Sequence, residues 1–176
     1  KPVYQFTSIS ISTMTHIDFN TIGSGDCSYT RSLLEPCETE TMFYNVKDEI
    51  QWGTMKHMGQ DVPRFISIQS SVIKIDDKIL MPLYRHPVDS HPVQSEFTPF
   101  VRILKNRTED ILGLPRDHYN HCLVQFYPDG RAHINDHSDK TLDIRPNTQI
   151  VNVSLGALRY MNNLSIWSDI KSFIRM

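Results

Sequence analysis

The sequence predicts a mostly β domain with flanking helices, of the α+β class, and three observations carry that reading. Runs rich in β-branched or alternating apolar residues at 65–73, 122–127 and 150–155 have the texture of strands. Two windows, 40–51 and 99–112, space their apolar residues as helices do. The composition, 39% hydrophobic and 22% charged over 176 residues, suits a soluble chain long enough for one real core.

Residues 1–38 are rich in Ser and Thr, carry Gly23-Ser24-Gly25 and keep no period, so they read as an irregular, partly disordered lead-in. Met42, Phe43, Val46 and Ile50 then recur at helical spacing, with Trp52 just past the end. The strand over 65–73 should turn at Asp76-Asp77, and Pro82, Pro87 and Pro92 mark a loop over 82–96. Thr98-Pro99 offers a helix cap with Pro at the first helical position. Cys122–Tyr127 forms a strand closed by the turn Pro128-Asp129-Gly130, and Ile150–Leu155 alternates so as to bury one face. Arg159-Tyr160-Met161 begins a return strand, and Trp167, Ile170, Phe173 and Ile174 stand at the spacing of a short amphipathic helix.

Composition also narrows the function classes. A net charge of −2 shows no global basic excess, although a local patch could still hold a phosphate backbone. No apolar run approaches the roughly 18 residues a bilayer span needs. Cys27, Cys37 and Cys122 are an odd set without C-x-x-C spacing, against a zinc ribbon or disulfide framework and in keeping with an intracellular protein of nucleus or cytoplasm. The N-x-S/T matches at Asn106, Asn152 and Asn163 read as coincidental. Lys1-Pro2-Val3-Tyr4 has neither an initiator Met nor a signal region, which reads as part of a longer protein.

The sharpest chemical feature is His137-Ser138-Asp139. Residues two apart in a strand or tight turn face the same way, so an imidazole and a carboxylate can converge on one cation. With a distant His they would make the facial triad of a non-haem Fe(II) oxygenase. Alone, H-x-D is more often a pair of solvated turn residues. Its flanks are what give it weight: Asn120-His121-Cys122-Leu123-Val124-Gln125-Phe126-Tyr127, then Gly130, then His137-Ser138-Asp139, then Ile150–Gly156 and Arg159-Tyr160-Met161.

This ordered set resembles the AlkB-like family of Fe(II)- and 2-oxoglutarate-dependent dioxygenases, most of all its fungal members. The resemblance covers 120–161 closely and 49–87 more loosely, through Trp52, Pro63-Arg64 and Tyr84-Arg85. It implies a double-stranded β-helix, a jelly roll of the cupin type, with helices packed on one sheet. It divides the chain into a lead-in at 1–38, an incomplete dioxygenase domain at 39–161 and a divergent tail at 162–176. It implies Fe(II), 2-oxoglutarate and dioxygen as the reacting set, and alkylated DNA or RNA, or protein, as substrate. By match to the motifs, His137 and Asp139 are metal ligands, and Tyr127 and Gln125 bind the cosubstrate. Gln125 stands where the family usually has Asn, one methylene shorter. Trp52, Tyr84 and Arg159 are candidates for the substrate side, each with a structural alternative: a core role for Trp52, a surface ion pair for Arg159. Ser154 and Gly156 match an S-x-G whose plain reading is close strand packing. His118, His121 and His133 match no ligand position.

The family's third ligand is a His downstream of H-x-D, followed by Arg residues for the cosubstrate carboxylates. This chain has no His after His137 and leaves the family pattern after Met161. Truncation, a mis-joined tail and true loss are three open accounts, and each implies a jelly roll missing its last strands and a polypeptide inactive as written. Two rivals stand beside the enzyme reading: a non-catalytic AlkB-like binding module, and a cupin-type metal protein using His133, His137 and Asp139 without 2-oxoglutarate.

Overall fold

The computed structural model describes residues 4–7, 28–30, 33–83, 90–135, 143–156, 160–163, 166–169 and 173–175. Among the described residues, thirteen strands and two helices run in the order β1 (Tyr4–Thr7), β2 (Ser28–Thr30), α1 (Pro36–Glu49), β3 (Lys56–His57), β4 (Gln60–Asp61), β5 (Phe65–Ser70), β6 (Ile73–Ile75), β7 (Lys78–Leu80), β8 (Ser95–Glu96), α2 (Pro99–Ile111), β9 (His121–Phe126), β10 (Ile150–Ser154), β11 (Tyr160–Asn163), β12 (Ile166–Asp169) and β13 (Phe173–Arg175). Seven of them form one mixed sheet in the order β2-β1-β10-β13-β9-β5-β8, and β3–β4, β6–β7 and β11–β12 are separate two-stranded ribbons. Mixed sheets with few helices match the α+β expectation. The second large sheet of a jelly roll is not seen among the described residues.

Three further expectations need correction. Two short strands come from the segment read as an irregular lead-in, and β1 lies parallel to β10, with Tyr4 opposite Ile150. The strand expected over 65–73 stops at Ser70, where the Ser71 N–H donates to the Asn120 carbonyl at 2.9 Å, and the chain restarts as a hairpin turned at Asp76 in the left-handed region (φ 52°). No C-terminal helix is seen among the described residues: Trp167 lies in β12, and Phe173 and Ile174 lie in β13. β13 slots antiparallel between β9 and β10, with Ile174 opposite both Val124 and Val153. Pairing two otherwise open strand edges outweighs the helical spacing of a short window.

Strand alternation gives the large sheet two different faces. On one, Cys122 and Val124 of β9 and Val151 and Val153 of β10, with Leu155 just beyond it, pack against Met42 and Val46 of α1 and Val101 and Leu104 of α2. On the other lie Gln125, Asn152, Ser154, Ile66 and Ile68, all buried. Gly156 follows β10 at φ 92°, and a Cβ there would sit 3.0 Å from the Phe43 ring of α1, so only glycine lets the strand end close under the helix.

Polar contacts, some buried and some at the surface, fix the helices. α2 begins at the expected Thr98-Pro99, but Glu49 from the end of α1 supplies the cap. Its carboxylate accepts the Thr98 hydroxyl at 2.6 Å and the backbone N–H groups of Phe100 and Val101 at 3.0–3.1 Å. Gln69 of β5 accepts the Thr98 N–H at 3.0 Å, tying the same point to the sheet. The negative charge also meets the positive end of the α2 dipole. Further along α2, Lys105 and Glu109 are both fully buried and ion-paired at 3.1 Å. Lys105 reaches Asp117 at 2.9 Å, and Glu109 accepts the Tyr119 N–H at 3.0 Å. At the surface Arg107 forks onto Glu38 of α1 at 2.8 and 2.9 Å and pulls that carboxyl down to about 2.

Two outcomes follow for stability. Glu49→Ala should lower unfolding free energy by about 2 kcal/mol in urea titration, since it strips a charged cap from two helix N–H groups and a hydroxyl. Lys105→Met should cost about 3–5 kcal/mol, because it leaves the Glu109 carboxylate buried against an apolar chain. Lys105→Met with Glu109→Leu should recover most of that loss in the same titration.

Candidate cosubstrate pocket

The hydrogen-bonding groups gather on the face turned away from the helices. Gln125 near the end of β9 and Tyr127 just beyond it share that face by the two-residue period, at 3% and 6% exposure. The β5–β9 register pairs Phe65 with Phe126 and Ile66 with Gln125, and continuing it by one residue sets Arg64 opposite Tyr127. The side chains meet accordingly. Arg64 Nε donates to Gln125 Oε1 at 2.6 Å, and the Tyr127 hydroxyl donates to the same oxygen at 3.3 Å. Arg64 also reaches the His133 carbonyl with Nη1 at 3.4 Å, and the His133 N–H donates to the Pro63 carbonyl at 3.2 Å, so the loop after β9 is sewn to the start of β5.

The acceptor end of Gln125 is thus filled by two donors. Its Nε2 amino group makes no hydrogen bond among the described residues and can serve only an acceptor. Ser154 of β10 lies in the same cross-strand row, since Ser154 pairs with Phe173 and Phe173 with Gln125. Two strand spacings put the two backbones about 10 Å apart. The Ser154 hydroxyl oxygen is buried without a partner among the described residues. A half-buried guanidinium beside a buried phenol, a free amide N–H pair and an orphaned hydroxyl on one face fit a small anion with several oxygens, such as a keto-dicarboxylate. Ile66 and Ile68, both fully buried, keep that face dry.

The other predicted residues fall elsewhere. Trp52 sits on the helix side, its ring 5.4 Å from Phe126 and its indole N–H donating to the Lys47 carbonyl at 2.8 Å, so its surroundings are those of the core. His137, Asp139, Tyr84 and Arg159 lie outside the described residues. Among the described residues no three His, Cys, Asp or Glu side chains converge as a metal site. His118 stands edge-on to Tyr119, His133 Nδ1 lies 2.8 Å from the Arg131 carbonyl, and His121 is buried enough to push its pKa down to about 4. Cys122 is buried and its thiol pKa is pushed up, which leaves it chemically quiet. No helix of the described residues is long and apolar enough to cross a membrane.

Sequence reasoning did not connect Arg64 with Gln125. The signal was present: Arg64 directly precedes β5, and an antiparallel register that pairs 65 with 126 fixes its position. That register becomes readable only once the strand partners are known.

Comparison with known proteins agrees with the motif order. A family profile described as the 2OG-Fe(II) oxygenase superfamily matches residues 26–164. The human DNA oxidative demethylase ALKBH2 is 25% identical over 136 residues, covering 76% of this chain and 49% of that protein. The chain therefore spans about half the length of this curated relative. With the profile match running over most of its residues, the chain belongs to the 2OG-Fe(II) oxygenase superfamily, as an AlkB-like member.

Proposed function

We propose that this chain carries the cosubstrate and metal side of an AlkB-type dioxygenase that removes alkyl groups from nucleic-acid bases, built on a jelly-roll core. The observation that carries the reading is the cluster of the buried Gln125 and Tyr127 with the half-buried Arg64, which lies within the residues matched by the family profile. Tyr127 and Gln125 hold one carboxylate of 2-oxoglutarate, and His137 and Asp139 supply two metal ligands. Arg159 and Tyr84 belong to the substrate side, and the core placement of Trp52 argues against base stacking there. The name of the human relative supports alkylated DNA as the substrate class. A base inside a duplex must be flipped out to reach such a pocket, whereas one in a single strand is already accessible.

When bound, Fe(II) with 2-oxoglutarate and dioxygen supplies the oxidising power to hydroxylate an N-alkyl C–H bond, after which the product releases an aldehyde. The protein's own share is positioning. Gln125 Nε2 donates to the carboxylate from a rigid strand end, the Tyr127 hydroxyl steadies the Gln125 oxygen, and Ile66 and Ile68 exclude water beneath it. The domain division into a lead-in at 1–38, a dioxygenase segment at 39–161 and a tail at 162–176 belongs to the same reading.

Among these 176 residues no His follows His137, so the third protein ligand is not supplied and the polypeptide alone should not turn over. Free imidazole can stand in for a missing His ligand. Anaerobic Fe(II) and 2-oxoglutarate should therefore give the metal-to-ketoacid charge-transfer band only when imidazole is added. His137→Ala and Asp139→Ala should each abolish it. Absence of the band under every condition would rule out this pocket as a metal–ketoacid site.

A further inference from the structure

We propose that Arg64 is a positioning residue for the cosubstrate: it locks the Gln125 carboxamide so that its amino end, and not its oxygen, meets the ligand carboxylate. The proposal rests on the reading of Gln125 and Tyr127 as the cosubstrate pair.

A carboxamide has two ends of nearly equal shape and opposite hydrogen-bonding sense, so a free Gln presents either one. Here the choice is made by the partners. Arg64 has donors only, and its Nε lies 2.6 Å from one end of Gln125, so that end must be the oxygen. The Tyr127 hydroxyl adds a second donor to the same atom at 3.3 Å. Turning the amide over would set the N–H pair of Gln125, itself 3% exposed, against the Arg64 guanidinium, donor facing donor. Nε2 is consequently committed to an acceptor, and a carboxylate offers only acceptors. The anchor also takes up the extra reach of Gln over Asn, since a side chain held at its tip by Arg64 loses the freedom its additional methylene brings. Arg64 itself is oriented by the His133 carbonyl at 3.4 Å and sits opposite Tyr127 in register, so all three groups are fixed by the β5–β9 pairing.

The test is a double-mutant cycle read by calorimetry, titrating 2-oxoglutarate into protein holding Mn(II) and imidazole in place of the redox-active metal. Arg64→Met should weaken binding about tenfold, which is about 1.4 kcal/mol. In a Gln125→Ala background the same change should have almost no effect, because the group it positions is gone. Arg64→Lys keeps the charge but not the fork and should recover only part of the loss. Gln125→Glu should raise the melting temperature by pairing with Arg64 while binding is lost to charge repulsion, a split that a purely structural cluster would not produce. Equal losses from Arg64→Met in both backgrounds, or a lower melting temperature with unchanged affinity, would overturn the positioning role. If Arg64→Met does not fold, Arg64→Lys and Gln125→Glu decide the question by the same affinity readout. Failure of the underlying reading looks different: unaltered protein would not bind, or Gln125→Ala and Tyr127→Phe would leave affinity unchanged.

Discussion

Glu49 accepts hydrogen bonds from the Thr98 hydroxyl and from the Phe100 and Val101 N–H groups, and through Thr98 it is linked to Gln69 on β5. One carboxylate therefore joins the end of α1, the start of α2 and a central strand. Everything on the helix side of the sheet depends on that junction, because the two helices share one apolar cluster with Cys122, Val124, Val151 and Val153. The far part of α2 is held by the buried Lys105–Glu109 pair and its contacts to Asp117 and Tyr119. Buried ion pairs are weak contributors to net stability but strong determinants of arrangement, since any other seating of α2 would strand a charge in the core.

With the helices fixed to one face, the other face is released from the task of packing them. That is why β9 can carry Cys122 and Val124 toward the helices while Gln125, and Tyr127 beyond the strand, turn the opposite way. The Arg64–Gln125–Tyr127 cluster is an outcome of the two-residue strand period combined with a single antiparallel register. A slip of one residue between β5 and β9 would send Gln125 into the apolar core and separate Arg64 from it. The rigidity of the pocket thus derives from the same pairing that builds the sheet.

Much of this was legible in the sequence, and for identifiable reasons. The α2 start followed from Thr98-Pro99, and β9 and β10 followed from their alternation and bounding turns. α1 was visible from its apolar spacing, but its first turn, beginning at Pro36, contains Cys37, Glu38 and Thr39 and no apolar stripe to announce it. The capping role of Glu49 was hidden because its partners lie about fifty positions away. The tail misled for the opposite reason: its apolar residues fit a helical period, yet Phe173 and Ile174 pair between β9 and β10 and Trp167 pairs with β11. Gln125 and Tyr127 stand where the resemblance pointed, whereas Arg64 could be tied to them only through long-range register.

The central claim is that this face of the sheet serves an oxidation of alkylated bases. The direct measurement is formaldehyde released from an N-methylated single-stranded oligonucleotide by the protein with Fe(II), 2-oxoglutarate, dioxygen and added imidazole. The account predicts release that requires 2-oxoglutarate and imidazole and disappears in Tyr127→Phe with Gln125→Ala. An oligonucleotide that binds tightly yet yields no formaldehyde under those conditions would contradict it and identify the chain as a binding module.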